Sequence, residues 1–134
     1  IKGASDAVIT VDELTLNIEA ADDGLSCDDE LTIKGGRVNI TAGGDAVKAS
    51  PDTDDAENPD TTSLGNVTIS GGTFAVTANG GHTTSLTDDS ASCKGLKAGK
   101  TLTVSGGMFT VDSEDDALHA NDVTVSGGTL TMTS

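Results

Sequence analysis

The sequence predicts an all-β fold, a right-handed parallel β-helix of about five coils of 21–22 residues, and three observations carry that expectation. A phrase closed by two glycines occurs four times: Leu-Thr-Ile-Lys-Gly35-Gly36, Val-Thr-Ile-Ser-Gly71-Gly72, Leu-Thr-Val-Ser-Gly106-Gly107 and Val-Thr-Val-Ser-Gly127-Gly128. Successive first glycines stand 36, 35 and 21 residues apart, and each long gap holds one polar segment of 14 residues, at 51–64 and 79–92. Without those segments the periods become 22, 21 and 21. A unit this short, alternating in polarity and free of helical pattern, buries its apolar residues only by stacking on its neighbours.

Three short strands can be drawn in each unit. The first passes through Val8, Leu25, Val47, Leu96 and Leu118, aligned in the phrases SDAVIT, DDGLSC, GDAVKA, CKGLKA and DDALHA. The second pairs Leu31 with Ile33, Val67 with Ile69, Leu102 with Val104 and Val123 with Val125. The third follows the glycine turn and pairs Val38 with Ile40, Phe74 with Val76, Phe109 with Val111 and Leu130 with Met132, while a shortened first coil supplies Leu16 and Ile18. A period of two places these pairs inside and the residues between them outside. Glycine suits the corner because a tight bend often needs positive φ. Right-handedness follows from the rule for parallel crossovers.

Composition supports one domain over residues 1–134, with the two polar segments as insertions. The 17 glycines raise an apolar fraction of 34% to about 47%, an ordinary value for a folded chain. A net charge of −15 argues against nucleic acid or anionic membrane as a partner. Phe74 and Phe109 are the only aromatic residues, so a Trp or Tyr platform for stacking sugars is missing. The start at Ile1, without signal peptide, transmembrane run or lipidation motif, is expected of a mature or excised segment.

The aspartates concentrate at one corner. The coil alignment stacks Asp6, Asp23, Asp45, Lys94 and Asp116, with Asp22 and Asp115 beside them and Asp28, Asp29, Asn121 and Asp122 at the far end of the first strand. Two carboxylates one strand spacing apart repel by about 3.5 kcal/mol at an effective dielectric near 20. Lys94 offsets this in one coil; elsewhere a bound cation is the natural candidate, and an all-oxygen donor set selects calcium. The expected metal residues are therefore Asp22, Asp23, Asp28, Asp29, Asp45, Asp115 and Asp116. The alternative is a set of exposed aspartates screened by salt. Residues 52–60 begin like an EF-hand loop but lack its glycine and terminal glutamate, and the nonapeptide glycine-aspartate repeat of other calcium solenoids is missing.

The phrases DDGLSCDDELTIKGGRVNIT, KGLKAGKTLTVSGG and DDALHANDVTVSGGTLTMTS resemble the carbohydrate-binding β-helix domains of cellulolytic and gut anaerobic bacteria, which have a polysaccharide-lyase-like fold. The resemblance runs from about Asp22 to the end of the chain. It implies a right-handed parallel β-helix, an extracellular or cell-surface location, calcium, and non-catalytic binding of acidic or cellulosic polysaccharide. The insertions and the shortened first coil depart from its regularity.

The outward residue at the middle of the first strand is Ile9, Ser26, Lys48, Lys97 and His119 in successive coils. Lys48, Lys97 and His119 thus form a basic row in an acidic chain, suited to a uronate carboxylate bridged by calcium; the competing view is a solvated strand surface. Calcium and lysine are also the parts of a uronate lyase, whose base is a Lys or Arg of lowered pKa. With one arginine, Arg37, and no Tyr or Trp, the walls of a catalytic groove are lacking, and no enzyme is expected.

Other features carry less. Thr32, Thr68, Thr103 and Thr124 form an outward ladder, of the kind that orders water on ice-binding solenoids and also simply favours strands. The sequons at Asn39 and Asn66 fall on strands, and Cys27 and Cys93 lie about 9.6 Å apart by strand spacing, too far for a disulfide unless the second insertion redirects Cys93. His82 has no nearby Cys or His to form a transition-metal site. The final phrase TLTMTS is an open strand edge, so end-to-end assembly into a structural or adhesive fibre is the second functional class.

Overall fold

The computed structural model describes residues 1–3, 7–50, 65–83 and 92–134. Among these residues there is no helix, and fourteen strands run in chain order. They are β1 (Val8–Val11), β2 (Thr15–Ala20), β3 (Leu25–Cys27), β4 (Glu30–Ile33), β5 (Arg37–Ala42), β6 (Val47–Ala49) and β7 (Asn66–Ile69). After them come β8 (Thr73–Ala78), β9 (Leu96–Ala98), β10 (Thr101–Val104), β11 (Met108–Ser113), β12 (Leu118–His119), β13 (Asp122–Val125) and β14 (Thr129–Thr133). Every third strand joins the same sheet, in the orders β1-β4-β7-β10-β13, β2-β5-β8-β11-β14 and β3-β6-β9-β12, and all pairings are parallel.

The repeat period sets the register. Leu31 lies opposite Val67, Val67 opposite Leu102 and Leu102 opposite Val123, and the partners two residues on, Ile33, Ile69, Val104 and Val125, align the same way. A period of two turns these side chains to one face, and all of the eight but Val123 and Val125 are fully buried. Val123 and Val125 keep the register but stay 47% exposed, because β13 has a strand on one side only. In the second sheet the Phe74 and Phe109 rings stack at 4.4 Å and 7° within the core. Full burial of an aliphatic or aromatic side chain of this size contributes about 1.5–3 kcal/mol, so these rows dominate the stability.

Each glycine pair serves two needs. The second member takes positive φ, from 90° at Gly36 to 111° at Gly107. The first lies against the preceding repeat: a Cβ on Gly106 would stand 2.6 Å from the Ser70 carbonyl oxygen.

The first repeat departs from the sequence alignment. Val8 does not join Leu25, Val47, Leu96 and Leu118; β1 pairs instead with β4, Ile9 facing Leu31 and Val11 facing Ile33. The place beside Ser26 is taken by Lys2. The physical reason is burial: Ile9 and Val11 are an apolar pair two residues apart, matching Leu31 and Ile33, whereas the short strands of the other sheet offer a single large apolar residue. Leu16 and Ile18 do face Val38 and Ile40 as expected. At the far end of the short strands the expected acidic stack is interrupted, since Asp122 pairs with Thr101 and not with the level of Asp28 and Asp29. Asp6, the segment 51–64 with its EF-hand-like stretch, and residues 84–91 of the second insertion lie outside the described residues.

Candidate functional site

The sheet of short strands carries the basic row. Ser26 faces Lys48, Lys48 faces Lys97 and Lys97 faces His119, each step one strand spacing of about 4.8 Å. Ile9 drops out of this row and Lys2 enters it. Sequence reasoning missed Lys2 because a single bridging residue has no apolar alternation to mark it.

The aspartate corner stacks beside this row, and its repulsion is offset by protein groups. Lys48 Nζ is 3.2 Å from Oδ2 of Asp23, and Lys97 Nζ is 3.1 Å from Oδ2 of Asp45, so each lysine reaches back to the carboxylate of the preceding repeat. Lys94 Nζ bonds Asp115, and His119 Nδ1 is 2.8 Å from Asp116. Backbone amides stitch the same corner: the N–H of Asp45 donates to Asp23 Oδ1 and the N–H of Lys94 to Asp45 Oδ1, both at 2.9 Å. The inference that Asp23 and Asp45 stack without a protein cation is thereby corrected. The signal was present, since Lys48 and Lys97 lie three residues beyond the aspartate level, but a lysine can reach either way and sequence does not say which.

Asp45 is the most enclosed of these, 1% exposed, and also accepts the Ser92 hydroxyl at 2.8 Å. The Lys94 bond and the Asp116 amide hold the Asp115 carboxyl below its usual range, against the opposing effect of burial. His82, away from this corner, donates its backbone N–H to Asp112 and sets its ring Nδ1 2.8 Å from the same oxygen, which lowers the Asp112 pKa. Cys27 and Cys93 are free and buried, and burial is the main reason both thiols are pushed up.

The seven candidate calcium aspartates therefore divide. Asp45 does not fit a metal: Lys97, Ser92 and the Lys94 amide already occupy both its oxygens. Asp23 is engaged in the same way, its Oδ1 by the Asp45 amide and its Oδ2 by Lys48, whereas Asp22 fits better: its Oδ1 lies 2.9 Å from where a Cβ on Gly44 would stand, so glycine keeps the space beside it open. Asp28 and Asp29 follow β3, and the Asp29 carbonyl accepts the N–H groups of Gly65 and Asn66. Asp115 and Asp116 are engaged by Lys94 and His119. Among the described residues no three His, Cys, Asp or Glu side chains converge as a ready metal site.

The threonine ladder is in register and one member longer than expected, running Thr10, Thr32, Thr68, Thr103, Thr124. On the remaining sheet a cavity of about 430 Å³ is lined by Asn17, Ile18, Glu19, Asn39 and Thr41.

A family model described as "carbohydrate-binding domain-containing protein" matches residues 2–81 and again 61–134. The chain belongs to that family, and a carbohydrate-binding role follows from the membership. Neither a curated protein nor a solved structure matches it.

Proposed function

We propose that the three sheets are faces of a single right-handed parallel β-helix of about five coils, and that it works outside the cell as a non-catalytic module holding acidic polysaccharide such as polygalacturonate. Support for the fold is the rule that every third strand shares a sheet. Support for the ligand is one observation above the others: Lys48, Lys97 and His119 stand in consecutive register on the outward positions of one sheet in a chain with net charge −15. Lys97 commits donors to Asp45 and Ser92 and has one of its three left for a ligand. Such partial commitment favours weak, additive contacts along a polymer. Cellulose is the neutral alternative, and it would use the flat threonine face.

Calcium belongs to this proposal. Twenty-two acidic residues outnumber seven basic ones, and Asp22 beside Gly44, together with Asp28 and Asp29, are the carboxylates that would hold it. A chelator should lower the melting temperature, and calcium should restore it better than magnesium, which demands tighter octahedral geometry. A melting curve indifferent to chelator removes calcium from the account. Lyase chemistry has less support, because the Lys48 and Lys97 ammoniums are engaged by carboxylates rather than left to repel one another. The binding test is a pull-down on polygalacturonate with absorbance followed in parallel: retention without growth of unsaturated uronate products is expected, and product growth would make the protein an enzyme.

One observation favours a second reading. Val123 and Val125, both 47% exposed, are apolar residues of β13, an outermost strand of one sheet, and would be covered by end-to-end stacking. Sedimentation that stays monomeric at high concentration excludes it.

A further inference from the structure

The basic row leaves a different feature of the molecule unexplained. The cavity of about 430 Å³ lies on another sheet, at its edge, where β2 is outermost and pairs with β5. Its volume falls in the usual range for small-ligand sites, about 300–1,000 Å³. Register places Asn17 opposite Asn39 and Glu19 opposite Thr41, all on outward positions of their strands.

We propose that this cavity is a second saccharide subsite, one that takes a neutral pyranose unit through its vicinal hydroxyls. The proposal rests on the carbohydrate-binding reading of the family and adds where, and by what chemistry, a neutral sugar is held. The Asn39 amide donates to Asn17 Oδ1 at 2.7 Å, which fixes both side-chain planes. That bond leaves the Asn17 amide hydrogens as donors and Asn39 Oδ1 as an acceptor. Glu19 adds an acceptor and Thr41 a group of either kind. Sugar hydroxyls donate and accept at once, and a pair of adjacent hydroxyls is satisfied by this alternation of donor and acceptor.

The lining also selects against other ligands. It contains no cation and one carboxylate, in a protein of net charge −15, so a uronate would be repelled. A single carboxylate is too few anionic ligands for a tight divalent-cation site. The exposed positions of Asn17, Glu19 and Thr41 allow substitution without opening the core.

The experiment is a calorimetric and NMR titration with neutral β-1,4-linked gluco-, xylo- and manno-tetrasaccharides and, separately, with oligogalacturonate. At least one neutral tetrasaccharide should bind, shift the side-chain amide signals of Asn17 and Asn39, and keep its affinity as salt is raised. An Asn17→Ala, Asn39→Ala variant with unchanged melting temperature should weaken that binding about tenfold or more, the loss expected from two or more hydrogen bonds, while oligogalacturonate binding stays as in the parent. Thr41→Val should weaken it less. Parent-like affinity of the double variant, shifts confined to other residues, or a neutral panel that fails to bind while oligogalacturonate binds would each overturn the subsite and leave the acidic-glycan reading standing. Failure of both ligand classes would overturn both.

Discussion

Lys97 Nζ lies 3.1 Å from Oδ2 of Asp45, a side chain 1% exposed, and the two residues belong to neighbouring repeats. The pair joins β9 to the turn before β6 and neutralises a carboxylate that stacking would otherwise leave beside that of Asp23. Removing one partner of an enclosed pair costs more than the pair contributes, since the other charge is stranded. Lys97→Ala should therefore lower stability by about 3 kcal/mol, the low end for such losses. Adding Asp45→Asn should recover most of it, because an amide oxygen can still accept the Ser92 hydroxyl and the Lys94 N–H. Urea midpoints of the single and double variants check this, and a Lys97→Ala midpoint equal to the parent's would refute it.

The core rows make a contrast of two matched substitutions. Val104→Asp should destabilise by about 4 kcal/mol or more, because it buries an unpaired charge at a position with no exposure. Val125→Asp, next in the same row but 47% exposed, should cost less than half as much. Equal costs would mean that β13 is covered in solution.

Two adjacent glycines should fail for separate reasons. Gly107→Ala places a side chain at φ 111° and should cost about 1–3 kcal/mol. Gly106→Ala has no such backbone strain but drives Cβ to 2.6 Å from the Ser70 carbonyl, so the strands must part. Ser105→Ala, exposed beside them, is the neutral control for thermal melting.

Acid should remove the contribution of Asp115. Its folded pKa is depressed, chiefly by the Lys94 bond, so the unfolded chain takes up the proton first and the stabilisation is complete above the ordinary carboxylate value of about 4. It is lost as pH falls from there through the lower folded value. The stability gap between the parent and Asp115→Asn should be constant from pH 7 to 5 and close below about pH 4. A gap that persisted at pH 2 would assign the effect to another group.

Much of the architecture could be read from residues that repeat in chemistry as well as in spacing. The pairs Leu31 and Ile33, Val67 and Ile69, and Leu102 and Val104 fixed three strands of one sheet, and the glycine pairs fixed the turns after them. SDAVIT aligns in letters with DDGLSC and GDAVKA, while the burial of Val11 and the partial burial of Ile9 assign the first repeat to the other sheet. The basic row was legible from period alone. Its ion pairs were not, because they depend on which way a flexible lysine stem reaches. The Asn17 and Asn39 cavity left no motif, since two ordinary strand residues become a feature only when register sets them side by side.

The measurement closest to the central claim is a calorimetric titration of oligogalacturonate into the parent and into a Lys48→Gln, His119→Gln variant, which spares the enclosed Asp45 pair. The parent should bind, lose affinity between 0.05 and 0.5 M salt as the Debye length shrinks from about 14 to 4 Å, and bind about tenfold more tightly than the variant. Equal affinity of parent and variant, or binding indifferent to salt, would contradict the assignment of acidic polysaccharide to the row of Lys48, Lys97 and His119.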